Sequence, residues 1–231
     1  MKGVLTLVPI PIDEISQILE DNKKTLKDAF EKKDLILVEE AKPCRKKWLH
    51  FGLPREAIEE FIIYNEHTRD ELAPEILQAL KKGKNAFLMS DCGLPAFCDP
   101  GVELVDLCHK SGIKVTSTSF SNSVILAVAL SGFPHKKFNF EGFLSKKSPE
   151  RRAELLKILD NPRMSIVMDT PYRLGKLLSE INELNTQRTI FLAMDLNNPT
   201  EELVRGSIDK IIKKVENQKR EFILIIGPKN V

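Results

Sequence analysis

Disulfides, membrane spans and phosphate-binding loops are what this sequence lacks first. Four cysteines in 231 residues are too few to staple a small secreted scaffold. Cys92, Cys98, Cys108 and His109 fall close together, but there is no CxxC pair and the spacing fits no zinc pattern, so no metal site is expected. No apolar run reaches the ~20 residues of a bilayer-crossing helix. The opening MKGVLTLVPIPIDEI reads as a first strand rather than a leader. A soluble, cytoplasmic protein with no membrane partner is expected. GxGxxG is absent, which removes the main support for a nicotinamide enzyme, and so is GxxxxGK[ST], which argues against a P-loop nucleotidase. Internal repeats and low-complexity stretches are missing too. Nor is there an excess of one charge: 35 basic against 33 acidic residues leave +2, which decides nothing about nucleic acid for the chain as a whole.

What is present is alternation. Short apolar runs read as strands at residues 4–8, 35–39, 61–65, 86–90 and 113–117, with helices expected at 14–32, 42–51, 73–82 and 102–111. Buried strands alternating with amphipathic helices imply a mostly parallel sheet with helices on both faces. The polar stretch 116–122 reads as a connection. Beyond it come a buried helix at 123–130, a short aromatic strand at 138–140, and a helix through 159 with Ser148 as N-cap and Pro149 as first residue. Strands MSIVM, TIFLAM, ELVRG and FILIIG follow, with few long helices among them. The fold class is therefore α/β in two domains, residues 1–117 with a mostly parallel sheet and 118–231 with a mixed sheet.

The most informative stretch is SDCGLPAFCDPG at residues 90–101. It follows a buried strand, and ligands on parallel sheets bind at the carboxyl ends of strands. Gly93 and Gly101 permit close backbone approach, and Pro95 and Pro100 stiffen the loop. Asp91 is placed to accept hydrogen bonds from a ligand's hydroxyl or amine. Asp99 reads as the cap of the next helix. Basic residues cluster at Arg45, Lys46 and Lys47, at Lys136, Lys137, Lys146, Lys147, Arg151 and Arg152, and at Lys213, Lys214, Lys219 and Arg220. Any one such cluster is as ordinary as a solvated face.

Six segments taken in order resemble one family. They are VEEAKPCRKKWLHFG at 38–52, YNEHT at 64–68, SDCGLPAFCDPG, SGFPHKKFNFEGFLSKK at 131–147, DTPYR at 169–173 and EELVRGSI at 201–208. Together they resemble the tetrapyrrole methylase superfamily and, within it, the RsmI type of ribosomal RNA small-subunit (cytidine-2′-O) methyltransferase. The resemblance implies S-adenosylmethionine (SAM) in a cleft between two domains, a homodimer, and methyl transfer to a cytidine ribose of ribosomal RNA in the small subunit. It places Pro9, Ser90, Asp91, Cys92, Gly93 and Pro95 beside the cofactor in the first domain, and Asn122 and Ser123 beside it at the connection. From the second domain it adds Met168, Asp169, Thr170 and Pro171, then Ala193 and Met194.

Methylating a ribose hydroxyl calls for positioning and for a base, and the candidates are Glu40, Glu66 and His67. Arg45, Lys46, Lys146, Lys147 and Arg173 are the candidates for RNA phosphates, with Arg173 alternatively an ion pair at a helix start. Tyr172 and Phe143 are candidates for stacking on a base. Two other readings stay open: a methylase of a tetrapyrrole or other small molecule, and a SAM- or RNA-binding module without turnover. Where the family has Pro-Ile-Gly-Asn-Leu after the first strand, this chain has Pro9-Ile10-Pro11-Ile12-Asp13. Where the family has Pro-Gly-Pro-Ser, it has Ser119-Phe120-Ser121-Asn122. Phe120 is expected either to strain a positive φ or to pack into an interdomain core, and SAM is expected to bind more weakly than in relatives.

Overall fold

The computed structural model describes residues 1–120, 122–215 and 219–229. Two compact units divide the chain, Met1–Ser121 and Asn122–Val231.

The first unit runs β1 (Val4–Leu7), α1 (Glu20–Glu31), β2 (Leu35–Val38), α2 (Ala41–His50), β3 (Ile62–Ile63), α3 (Arg69–Lys81), β4 (Ala86–Met89), α4 (Val102–Lys110) and β5 (Lys114–Ser117). All pairings are parallel, in the order β3-β2-β4-β1-β5. Alternate residues serve two cores. Leu37, Ala86 and Leu88 pack with Leu77, Leu80, Leu104 and Cys108 of α3 and α4. Ile36, Val38 and Met89 pack with Leu26, Ala29, Cys44 and Trp48 of α1 and α2. Burial on both faces is why the strands read as unbroken apolar runs. The helix expected from residue 14 starts at Glu20 instead. Asp13 Oδ1 accepts the N–H groups of Ile15 (2.9 Å) and Ser16 (2.7 Å), and such a side-chain turn offers the backbone an alternative to the helix. In the opposite sense, α3 begins earlier than expected, with Asp70 and Glu71 in its first turn, where the helix dipole favours them.

The second unit runs α5 (Ser123–Ser131), β6 (Phe138–Phe143), α6 (Ser148–Asp160), β7 (Met164–Met168), α7 (Leu174–Glu183), β8 (Ile190–Met194), β9 (Glu202–Gly206), α8 (Ile208–Val215) and β10 (Phe222–Ile226). Its sheet, ordered β6-β7-β10-β8-β9, is mixed: β6 and β7 are parallel and the other pairs antiparallel. Helix α5 covers one face with Val124, Ala127 and Val128, while α6, α7 and α8 cover the other. The last two were not expected, although Leu174, Leu177, Leu178 and Ile181 show the i, i+3, i+4, i+7 spacing of an amphipathic helix.

Ser148 does not cap α6. Its hydroxyl donates to Glu180 Oε1 (2.9 Å), and the cap position falls to Lys147. Glu180 is gripped from its other side by Arg151, whose Nε and Nη2 reach its two carboxylate oxygens at 2.6 and 2.7 Å. This fork-on-fork pair is sealed in the fold, so Arg151 is not part of an exposed basic cluster.

Arg188 is buried as well, and it donates to the carbonyls of Gly227 (2.6 Å), Ile158 (2.9 Å), Asn161 (2.9 Å) and Arg163 (2.6 Å). It ties the end of α6 and the approach to β7 to the segment after β10. Replacing it with Met would strand these carbonyls. A loss of about 3 kcal/mol or more is expected, read as a lower midpoint in urea; an unchanged midpoint would show that water satisfies them.

Candidate functional site

Neighbouring strands β1 and β4 leave the sheet in opposite directions. From β1 the chain crosses β4 through α1 on one face to reach β2, and from β4 it crosses β1 through α4 on the opposite face to reach β5. A reversal of this kind opens a crevice at the carboxyl ends of the strands, the usual ligand position on an open parallel sheet. The loops 8–13 and 90–101 meet there, and two backbone hydrogen bonds join them: Ile10 N–H to Gly93 O (3.0 Å) and Gly93 N–H to Ile10 O (3.1 Å).

The two glycines of the second loop do different work. Gly93 has φ +72°, and a Cβ there would meet only Ile12 Cγ1, at 4.0 Å, so its open side is available to a ligand. At Gly101 a Cβ would lie 2.6 Å from Leu88 Cδ2. That glycine lets the loop lie on β4 and does not serve a ligand. It also holds the N-cap position of α4, so the expected Asp99 cap is not formed. Ala96 and Cys98 adopt φ of 63° and 64°, strain of ~1–3 kcal/mol each that concentrates at working loops.

Carboxylates line the crevice. Asp91 N–H donates to Glu39 Oε2 (3.1 Å), and Asp91 Oδ1 accepts the N–H of Glu40 (3.2 Å), which locks the ends of β2 and β4 together. Burial, then the Glu39 charge, pushes Asp91 up to about 6. The same two causes push Asp99 up to about 6. Both therefore favour the protonated form in the fold. Their stabilising share is complete below the ordinary carboxylate range and is lost as pH rises through about 6.

The other residues expected here are placed as follows. Pro9 and Pro95 are buried and Cys92 is exposed. Ser90 is buried, its hydroxyl on Cys92 O (2.7 Å). Glu40 is exposed at the start of α2, beside Asp91. Glu66 and His67 pair with each other at 3.5 Å in the turn after β3. That is the outer edge of the sheet, two strand spacings or ~10 Å from β4, so the structure does not bring them to the crevice. Arg45 and Lys46 are exposed on α2, with Lys46 paired to Glu14. Lys47 turns inward instead, donating to Pro11 O (2.6 Å) and Ile12 O (3.3 Å), and leaves the basic cluster it forms in sequence with Arg45 and Lys46.

In the second unit, Asn122 caps α5 by accepting Ile125 N–H (2.9 Å), with Ser123 its first residue. Met168 ends β7. Asp169 is buried, and its Oδ1 accepts from Thr170 N–H (2.6 Å) and Arg173 Nε (2.5 Å). Its Oδ2 has no hydrogen-bond partner among the described residues. Pro171 opens the short 3₁₀ turn Pro171–Arg173. Arg173 is engaged within the fold, which favours the ion-pair reading over a phosphate contact. Ala193 and Met194 are fully buried in an interior strand paired on both edges, so their side chains and backbone are already committed. Lys146 and Lys147 are exposed. Phe120 is 37% exposed and is not among the residues with positive φ. It is therefore not strained in that way. Ser121 lies outside the described residues.

A family model described as Tetrapyrrole (Corrin/Porphyrin) Methylases matches residues 17–212. The chain belongs to the tetrapyrrole methylase family. Among curated members, "Ribosomal RNA small subunit methyltransferase I" of Thermotoga maritima is 33% identical over 94% of both chains. The protein of the same name from Bacillus subtilis is 33% identical over 99% of this chain and 76% of its own length. Two solved structures share the fold. Diphthine synthase has a TM-score of 0.69 at 11% identity, over 99% of this chain and 91% of its own. A cobalt precorrin-4 methyltransferase has 0.56 at 14%, over 97% and 94%.

This family member carries one site residue that sequence reasoning missed. Asn22, on α1, is 1% exposed. Its amide donates to Pro9 O (2.9 Å) and Ser119 O (3.3 Å), so one side chain holds the loops after β1 and β5. The signal was available: Asn22, Leu26 and Ala29 form the buried stripe of α1, and a polar residue on such a stripe needs a partner. Asn22→Ala should cost about 1–3 kcal/mol and speed exchange of the Ile10 amide. Exchange at wild-type rate would mean that the Gly93 bridge alone holds the first loop.

Proposed function

We propose that this chain is a SAM-dependent methyltransferase that methylates the 2′-oxygen of a cytidine ribose in small-subunit ribosomal RNA, as a homodimer in the cytoplasm. The observation that carries this reading is the carboxylate-lined crevice at the β1/β4 reversal, in a chain so similar to proteins named for that RNA. The residues present suit the cofactor. Gly93 offers open backbone, Asp91 and Asp99 offer negative charge to a cationic ligand, and Thr118 Oγ1 at the end of β5 is a buried hydroxyl with no hydrogen-bond partner among the described residues.

SAM would supply the methyl group from its sulfonium. The protein's share is orientation and proton handling. The bonds among Glu39, Asp91 and Glu40 fix the carboxylates before anything binds. Burial and Glu39 raise Asp91 to about 6, so its ionised form prevails at neutral pH and can take the proton that the ribose hydroxyl releases. Exposed Glu40 is the alternative acceptor beside it. Support for a second copy comes from α5, whose sequence SVILAVALS carries no charge and leaves Ile125 and Leu130 exposed. A helix apolar on all sides is normally covered. No helix of the described residues is long and apolar enough to cross a membrane.

The test is transfer of labelled methyl from SAM to small-subunit particles, naked ribosomal RNA and tetrapyrrole precursors, with the product nucleoside identified. Label in 2′-O-methylcytidine is expected; label in a tetrapyrrole alone would replace this reading with the small-molecule one. Asp91→Ala should weaken SAM binding by about 1–3 kcal/mol. A cation favours ionised carboxylates, so SAM affinity should rise from pH 5 to 7 with release of protons near pH 6. Calorimetry in two buffers of different ionisation enthalpy measures that release, and its absence would remove Asp91 and Asp99 from the site.

A further inference from the structure

Two aromatic side chains stand out of the second unit at one place. Tyr172 is 79% exposed and Phe143 50%. Strands β6 and β7 run parallel with Phe143 opposite Met168, and Tyr172 follows β7 in the turn Pro171–Arg173. Both residues therefore lie at the carboxyl ends of adjacent strands. Arg173 holds these ends together, reaching from Asp169 Oδ1 (2.5 Å) to Leu144 O (3.3 Å) and Ser145 O (3.4 Å).

The loop after Phe143 is equally fixed. Arg151 Nη1 donates to Ser145 O (2.8 Å) and Lys146 O (3.0 Å). Ser145 gives its N–H to Glu154 Oε2 (2.9 Å) and its hydroxyl to Glu150 Oε2 (2.8 Å). With the backbone and serine drawn inward, the side chains of Lys146 and Lys147 are left exposed. From another direction the Lys219 ammonium lies 5.2 Å from the centre of the Tyr172 ring. The carboxylates nearby are already engaged: Glu180 by Arg151, Asp169 by Arg173, and Glu150 by Ser145 and by Lys147 at 3.4 Å.

We propose that Phe143 and Tyr172, flanked by Lys146, Lys147 and Lys219, form the platform on which an unpaired stretch of the RNA substrate lies, its bases on the rings and its phosphates on the ammonium groups. This rests on the RNA-methylating function proposed above. Exposed ring faces with flanking lysines match single-stranded RNA, whose unstacked bases bind aromatic faces and whose backbone binds cations. A protein partner's apolar surface would cover the Lys146 ammonium without offering it an anion.

The test measures anisotropy of a labelled single-stranded oligoribonucleotide across a salt series, with S-adenosylhomocysteine affinity and light scattering on the same samples. F143A/Y172A should weaken RNA binding at least tenfold, with S-adenosylhomocysteine affinity unchanged and Tyr172→Phe close to wild type. K146Q/K147Q should reduce the slope of log affinity against log salt by about 1.4, roughly 0.7 per lost phosphate contact. A wild type that binds RNA no better than either variant overturns the platform alone. Loss of the dimer in F143A/Y172A with RNA affinity kept makes the surface a protein interface and also overturns it. A wild type that binds S-adenosylhomocysteine but no RNA overturns the platform and the RNA-methylating reading together.

Discussion

The adjacency of β1 and β4 is the constraint on which the first unit depends. Their connections run to opposite faces of the sheet, β1 through α1 to β2 and β4 through α4 to β5, and the two loops that leave these strands hold each other. They do so through the Ile10–Gly93 hydrogen bonds. The remaining features of the crevice follow from that contact. Gly93 has to take a positive φ to present both its N–H and its carbonyl to Ile10. The loop then turns back over β4, where only a glycine at 101 avoids Leu88. Asp91, between β4 and the bridge, is left facing the end of β2 and its two glutamates. Crowded carboxylates are a cost to the empty fold, and one that a bound cation would relieve.

In the second unit the equivalent work is done by arginines. Arg151, Arg173 and Arg188 each collect carbonyl oxygens from segments that would otherwise end in unpaired acceptors. A guanidinium suits this better than an ammonium because its donors form a rigid fork. Lysines behave differently here. Lys146 and Lys147 stay in solvent, while Lys47 is drawn in, to the carbonyls of Pro11 and Ile12.

Legibility from the sequence followed the same physics. Strands buried on both faces were readable because an unbroken apolar run has few alternatives, and the loop 90–101 was readable from its position after one of them. Helix boundaries were not, because the Asp13 turn and the Ser148 hydroxyl compete locally for groups that decide where a helix starts. Arg151 looked like a surface cation because burial of a charge depends on a partner far along the chain, here Glu180, whereas the Arg173 ion pair, with Asp169 four residues before it, was one of the two readings open from the sequence. Glu66 and His67 looked catalytic by type, and only the strand order shows them at the outer edge. Asn22 was legible in principle, since it interrupts an apolar stripe at the spacing of a helix face.

The altered loops give the last step. Pro11 removes a backbone donor, and Phe120 replaces a residue of greater backbone freedom, so a reading from residue types alone expects a damaged site. The carbonyls of those stretches nevertheless have dedicated donors: Lys47 for Pro11 and Ile12, Asn22 for Pro9 and Ser119. Neither donor lies within the loop it serves; both come from the helices α1 and α2 that pack beneath. In both stretches the backbone is held by buried polar side chains of neighbouring helices rather than by the conformational freedom of glycine. Such an arrangement is stiffer, because each donor is fixed by its own helix. It is also less forgiving, because losing one amide releases two walls of the crevice at once.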